Sequence, residues 1–148
     1  LADGSFDGLF AGSGRVSTQG LSLECDSVRI SIETDDETYF NVTEWVWTCG
    51  GMTFANNPVE ATLENGRVLV NGEDYGSMVN STISMEIQGD GPNENFKLRA
   101  SAFENSIEIR EEYSSDEGQA TFQANLPRVN LDGEGCSHEE DCVELGTD

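Results

Sequence analysis

Residues 25–49 have the sequence CDSVRISIETDDETYFNVTEWVWTC. Within this stretch, Val28, Ile30 and Ile32 alternate with polar neighbours, which is typical of a β-strand with one buried face. Residues 36–38, Asp-Glu-Thr, have the composition of a turn. The stretch therefore predicts a β-hairpin whose two antiparallel strands share one buried face.

The two cysteines at the ends of this stretch predict the register of the hairpin. When Asp35 is placed opposite Tyr39, Cys25 falls opposite Cys49 and within bridging distance of it. We therefore predict a disulfide between Cys25 and Cys49 that crosses the hairpin.

This register also assigns side chains to faces. It sets Ile30 opposite Glu44 and Val28 opposite Val46, so Glu44 is predicted to face the same side as the apolar residues. A β-bulge would shift Glu44 into solvent, because one extra residue reverses the alternation.

The opposite face of the second strand carries aromatic residues. Tyr39, Trp45 and Trp47 are predicted to face outward, where Trp45 would lie beside Arg29 in a cation–π contact. A row of exposed aromatic residues can mark a partner or carbohydrate surface, but packing beneath the N-terminal segment is the favoured explanation.

Similar alternation continues from residue 8 to residue 128 in short segments separated by turn residues. Asn65-Gly66 suits a type I′ hairpin turn, because both of its central positions need positive φ. Residues 75–87 form one long alternating run, which we expect to bend near Gly76. We count about nine strands joined by short turns, the pattern of an antiparallel up-and-down meander.

A one-sided meander must bury its apolar face. We therefore predict an all-β fold in which the meander closes into a small barrel, with a two-sheet β-sandwich as the alternative. The layout resembles that of lipocalins, fatty-acid-binding proteins and avidins, but none of their sequence motifs is present, so no residue role is transferred. Residues 1–129 are predicted to form this domain, and residues 130–148 a short acidic C-terminal tail in which Cys136 and Cys142 form a disulfide.

Composition limits the partners and the compartment. The 148 residues include 29 acidic and 7 basic residues, for a net charge of −22, which repels nucleic acid. No run of about 18 apolar residues is present, so we expect no membrane span. The chain begins with Leu1 and not with Met, and its four cysteines suit two disulfides. We therefore expect a secreted protein, either extracellular, periplasmic or at the cell surface.

The residues that support catalysis are few. The single histidine, His138, lies in the tail and not in the β domain, and cysteines oxidised in pairs cannot act as nucleophiles. Alternation makes both Glu44 and Glu111 face inward, so an enzyme with paired carboxylates, such as a glycosidase, is a further hypothesis. We predict that the protein is not an enzyme.

The tail contains an oxygen-rich pattern that suits calcium. Asn130, Asp132, Glu134 and Gly135 match positions 1, 3, 5 and 6 of a calcium-binding loop, and Asp141 stands at position 12 in place of the bidentate glutamate. Calcium held by Asn130, Asp132, Glu134 and Asp141 is therefore a hypothesis, and a solvated acidic tail is its alternative.

Two tripeptides fit the acceptor pattern for N-glycosylation. They begin at Asn41 and Asn80, and the hairpin register puts Asn41 on the outer face. Both asparagines are predicted acceptors wherever the transferase is present.

Two functions fit a secreted β-domain of this kind. The first is the binding of a small apolar ligand in the interior. The predicted ligand-binding residues are Val28, Ile30, Val42, Glu44, Ile83, Met85, Leu98, Glu111 and Phe122. The alternative is a structural subunit of an extracellular filament or surface assembly, in which residues 1–10 donate a strand to another copy of the chain.

Overall fold

The computed structural model describes residues 4–91 and 93–129, and this part of the chain consists of β-strands joined by turns and short loops. The strands are β1 (Gly8–Thr18), β2 (Leu21–Thr34), β3 (Tyr39–Cys49), β4 (Met52–Ala55), β5 (Val59–Glu64), β6 (Arg67–Val70), β7 (Glu73–Val79), β8 (Thr82–Gln88), β9 (Asn95–Ala102), β10 (Ser106–Ser115) and β11 (Gly118–Val129). Among the described residues, no helix has the length and apolar character needed to cross a membrane. The predicted acidic tail lies outside the described residues.

Ten of the strands close into a barrel. Apart from the short β4, each strand pairs antiparallel with the next barrel strand along the chain, and β1 also pairs with β11, which closes the ring. The predicted up-and-down barrel is therefore confirmed. β4 and β5 share one position beside β3, because Ala55 pairs with Val46 and Val59 pairs with Val42 in the same register. The interruption between them contains Pro58, which has no N–H to donate to a neighbouring strand.

Residues 4–91 and 93–129 contain eleven strands, where the alternation predicted about nine. The predicted long strand over residues 75–87 is divided into β7 and β8 by a turn at Asn80 and Ser81, whose φ angles are 52° and 59°. Positive φ at both central positions is the requirement of a type I′ turn, which Asn meets readily. The two-residue turn reverses the alternation, because Met78 pairs with Ile83 on the inner face whereas Val79 is 56% exposed. The prediction of one unbroken strand over residues 75–87 was therefore wrong. The predicted bend near Gly76 coincides with a bulge at Tyr75.

The hairpin of β2 and β3 confirms the predicted disulfide and corrects the predicted register. Cys25 and Cys49 are bonded and lie opposite each other. Between the ends of the hairpin, β2 contains one extra residue, Asp26, and β3 contains one, Thr43. The register therefore slips by one residue at the first bulge and returns at the second.

This one-residue slip turns the two tryptophans inward. Ile30 pairs with Trp45 and Val28 pairs with Trp47, each one residue away from the predicted partner. Trp47 is only 1% exposed, and Trp45 is buried as well. The prediction that Trp45 and Trp47 face outward was wrong, whereas Tyr39, which lies beyond the second bulge, is exposed as predicted.

Glu44 lies on the outer face of the same hairpin, although it was predicted to face inward. Its Oε1 accepts a hydrogen bond from Nε of Arg29 at 2.7 Å, and both side chains are partly exposed. The predicted cation–π contact between Arg29 and Trp45 was wrong for the same reason, because the bulges place the two side chains on opposite faces of the barrel wall.

Trp47 fits inside the barrel because Gly14 of β1 lies against it. A Cβ atom at Gly14 would be 2.9 Å from Cζ3 of Trp47 and 2.6 Å from the carbonyl oxygen of Gln123, closer than real Cβ atoms approach such neighbours. The absence of a side chain at Gly14 thus makes room for the indole ring.

The side chains of the inner faces form one core. Its aromatic part surrounds Phe122, whose ring meets Trp47 at 5.2 Å, Phe54 at 5.6 Å and Tyr113 at 5.6 Å between ring centroids, all edge to face. The inward-facing tryptophan therefore contributes directly to core packing.

Residues 4–7, called here the N-terminal plug, close one end of the barrel. Gly4 donates its N–H to a backbone oxygen of β9 at 2.9 Å and accepts a hydrogen bond from Oγ of Ser81 at 2.7 Å. Phe6 is 1% exposed and packs edge to face on Phe40, with 5.4 Å between ring centroids. The closed end is therefore the one that contains the β7–β8 turn.

A buried arginine holds the plug in place. Arg128 donates from Nη2 to the carbonyl oxygen of Ser5 at 2.9 Å and from Nη1 to that of Asp7, and its guanidinium lies 4.7 Å from the centre of the Phe10 ring. Asp36 accepts a hydrogen bond from the Ser5 hydroxyl on the other side. The plug is thus bonded to both sides of the barrel end.

Candidate functional site

The barrel encloses a cavity of about 250 Å³. Its wall is built from side chains of β2, β3 and β5–β10 together with Phe6 of the plug, and none of these lining side chains carries a charge. Alternation explains the wall, because every second residue of each strand points inward. A concave, mainly apolar space of this kind is the usual form of a small-molecule site.

The structure places five of the predicted ligand-binding residues in this wall. They are Ile30, Val42, Ile83, Met85 and Leu98. Val28 and Phe122 are buried as predicted but lie in the packed core outside the cavity lining. Their inward direction was predictable, whereas their distance from the cavity depends on where the large aromatic rings pack.

Glu111 is the buried carboxyl group that alternation predicted, with an exposure of 1%. Nε1 of Trp45 donates to its Oε2 at 3.2 Å, and the hydroxyl of Tyr113 donates to its Oε1 at 3.0 Å. Trp45 also lines the cavity, so its indole connects the cavity wall to the carboxyl group behind it. Glu111 itself does not line the cavity.

Burial raises the pKa of Glu111 from 4.5 to about 7, because the charged form loses its hydration. Hydrogen bonds from Tyr113 and Trp45 oppose this shift. The Trp47 indole also lowers the pKa by its proximity, although its N–H lies outside hydrogen-bond geometry with any described residue. Desolvation and the nearby carboxyl group raise the pKa of Tyr113.

Glu44 and Glu111 do not form the carboxylate pair that a glycosidase needs. Glu111 points into the barrel, whereas Glu44 is on the outer surface with Arg29. Paired catalytic carboxylates must flank one bond from positions a few ångströms apart. The bulge at Thr43 removes the basis of this hypothesis.

A second, open depression of about 490 Å³ lies at the barrel end opposite the plug, and we call it the mouth groove. It is lined by Thr18, Gln19, Ile87, Gly89, Glu94, Asn95, Phe96, Tyr113, Ser114, Ser115, Glu117, Gly118, Gln119 and Ala120. Ile87 and Phe96 belong to both the mouth groove and the cavity lining, so the two spaces are neighbours. Phe96 and Tyr113 are in contact there, with 4.8 Å between ring centroids.

The remaining predicted sites, for calcium, a second disulfide and glycosylation, stay predictions. The calcium residues Asn130, Asp132, Glu134 and Asp141, and the cysteines Cys136 and Cys142, lie outside the described residues. Within residues 4–91 and 93–129, no cluster of three or more His, Cys, Asp or Glu side chains is suited to a metal ion. Asn41 lies on the outer face between two acidic neighbours, and Asn80 is exposed in the β7–β8 turn. Glycosylation of Asn41 and Asn80 stays a prediction.

Sequence reasoning missed the partners of Glu111 and the residues that bound the cavity at its ends. Tyr113 stands two residues after Glu111 on β10, and this spacing already placed the two on one face. Trp45 was assigned to the wrong face, and nothing local to Phe6 or Phe96 showed that they would meet the same cavity. These last two positions depend on contacts between distant parts of the chain.

The fold and the enclosed space define a closed antiparallel barrel with an apolar interior. Comparison with protein-family models, with curated proteins and with solved structures finds no match to this chain. Its function is therefore argued from the site itself.

Proposed function

We propose that this barrel binds a small apolar molecule in its interior cavity. The observation that carries the proposal is the uncharged wall of inward-facing side chains around a space of about 250 Å³. Transfer of an apolar molecule from water into such a space is favourable, because its hydration is released.

The volume of the cavity indicates the size of the ligand. A protein cavity of ~150 Å³ is enough to bind benzene, which has six carbon atoms. By proportion, the cavity of about 250 Å³ suits a molecule with roughly ten carbon atoms. This size supports a two-ring aromatic compound or a medium-length chain as ligand, and it is too small for a large lipid.

The disulfide supports the predicted compartment. Cys25 and Cys49 form a cross-strand bridge, and such bonds persist where the surroundings are oxidising. We propose that the protein is secreted and meets its ligand outside the cytosol.

The test of this function is the affinity for naphthalene, a ten-carbon probe, in a variant whose cavity is filled. Ala100 lines the cavity from β9, and Ala100→Leu adds apolar atoms to that space. We expect isothermal titration calorimetry to show binding by the native protein and affinity at least about tenfold weaker, or 1.4 kcal/mol, for Ala100→Leu.

The matched control is Ala55→Leu, because Ala55 is exposed on β4 and does not line the cavity. This variant should bind naphthalene like the native protein. Absence of binding by the native protein, or equal affinity in Ala100→Leu, would contradict the proposal.

The alternative function, strand donation by residues 1–10 in a filament, has less support. The described residues of this segment pack on the barrel of their own chain. Phe6 is buried in the core, and Arg128 donates a hydrogen bond to the plug. In the described part of the chain, the unpaired strand edge that could accept a donor belongs to β4, which is only four residues long. Assembly with other copies stays a prediction.

A further inference from the structure

The cavity and the mouth groove border each other. Ile87 and Phe96 contribute to the lining of both spaces. At the other end, Phe6 of the plug lines the cavity and is only 1% exposed. Ile87 and Phe96 are therefore the residues at which the cavity borders the mouth groove.

The two spaces differ in polarity. The cavity wall is apolar, whereas the mouth groove carries amides, hydroxyls and carboxylates, among them Gln19, Asn95 and Gln119. A molecule that occupies both spaces would fit them best if its part in the cavity were apolar and its part in the mouth groove were polar. This arrangement is that of an amphiphile.

The charges at the mouth groove select among polar head groups. Its described lining includes Glu94 and Glu117 and no Lys, Arg or His. Lys97 does not line the mouth groove but lies beside Glu86 and Glu112 on the outer face of β9. It belongs to a neighbouring depression that shares Asn95, Tyr113, Ser114 and Gln119 with the mouth groove. The lining of the mouth groove itself therefore offers neutral hydrogen-bond donors and acceptors and two carboxylates, but no cation to hold an anionic head.

From this juxtaposition we infer that the ligand is a single-chain amphiphile whose apolar part of about ten carbon atoms fills the cavity, and whose head group in the mouth groove is uncharged or cationic. The inference rests on the proposed function and specifies the chemical class of the ligand. Carboxylate and phosphate heads are disfavoured, because they would meet like charges and no compensating donor cation.

Three probes with the same ten-carbon chain test the head-group preference: 1-decanol, decylammonium and decanoate. Titration calorimetry is carried out below the micelle concentration and at about 0.15 M salt, which screens charges beyond about 8 Å and so reduces the effect of the overall charge. We expect 1-decanol and decylammonium to bind, and decanoate to bind at least about tenfold more weakly than either.

A pair of variants shows whether the mouth groove is responsible. Gln119 and Gln123 are both exposed on β11, but Gln119 lines the mouth groove and Gln123 does not. Gln119→Arg should strengthen decanoate binding and weaken decylammonium binding, each by about fivefold or more. Gln123→Arg makes the same change in net charge and should leave the order of the three probes unaltered.

The outcomes separate this inference from the function on which it rests. If 1-decanol binds and decanoate binds as tightly, the head-group inference is wrong while interior binding stands. Equal effects of Gln119→Arg and Gln123→Arg would also overturn it, because the preference would then come from total charge. If naphthalene and all three decyl probes fail to bind, the proposed function and the inference fail together.

Discussion

Replacing Glu111 with glutamine is expected to abolish a fall in stability of about 3 kcal/mol that the native barrel shows between pH 4.5 and pH 7. Burial lifts the pKa of Glu111 to about 7 in the folded protein, whereas the unfolded chain releases the same proton near 4.5. Between these values the folded state holds more protons than the unfolded state. The free energy of unfolding therefore decreases as the pH rises through this range and levels off above about 7.

This range separates Glu111 from the other shifted carboxyl groups. The pKa of Asp35 is lowered by hydrogen bonds from Thr38 and neighbouring backbone N–H groups, and that of Asp74 is lowered by its contact with Arg67. The contributions of these two groups are lost only as the solution becomes more acidic. A free energy of unfolding that decreases as the pH rises from 4.5 to 7 therefore identifies the contribution of Glu111.

Urea denaturation at a series of pH values measures the effect. The matched control is Glu112→Gln, because Glu112 is the next residue and is exposed on the outer face. We expect the decline to persist in Glu112→Gln and to disappear in Glu111→Gln. A native protein whose stability stays level or rises between pH 4.5 and pH 7, relative to Glu111→Gln, would show that Glu111 is hydrated.

The second large effect is expected at Trp47, whose indole is in the core against Phe122. Trp47→Ala should lower the free energy of unfolding by about 4 kcal/mol, the usual effect of removing a large buried ring. Trp47→Phe keeps part of the ring contact and should lower it by roughly 2 kcal/mol, which makes the test readable even if the alanine variant does not fold.

Val46 supplies the control for Trp47, because it precedes Trp47 on β3 and points to the outer side of the barrel wall. Val46→Ala should change the free energy of unfolding by less than about 1 kcal/mol. A large effect at Val46 and a small one at Trp47 would favour the register without bulges. That result would contradict the inward direction of the tryptophans.

The local sequence pattern predicted the barrel and the pairing at both ends of the β2–β3 hairpin. Cys25 and Cys49 lie opposite each other as the spacing indicated, and Glu64 pairs with Arg67 across the Asn65-Gly66 turn. These features depend on neighbours along the chain, where a period of two and the chemistry of turn residues are sufficient.

The bulges at Asp26 and Thr43 could not be predicted in the same way. Each inserts one residue, and nothing in the adjacent residues demands it, because the benefit is the burial of Trp45 and Trp47 against distant strands. The error at Glu44 follows directly, since one slip reverses a face. Glu111 was placed correctly because β10 pairs with both of its neighbours without a bulge.

The cavity and the residues at its two ends also could not be predicted from the local sequence pattern. Phe6 reaches the cavity only because Arg128 and Asp36 hold the plug across the barrel end, and these residues are far apart in the sequence. The open space depends on the sum of many side-chain volumes around the ring of strands. Periodicity assigns directions to side chains, but it does not measure the space that remains between them.

The most direct test of interior binding is a methyl-detected NMR titration with naphthalene. The methyl groups of Ile30, Ile83 and Ile107 line the cavity, whereas those of Leu21 and Val79 are exposed on the surface. Interior binding predicts saturable shifts at the three isoleucines and none at Leu21 or Val79. Shifts confined to the exposed methyl groups, with the isoleucines unchanged, would show that the barrel interior does not hold the molecule.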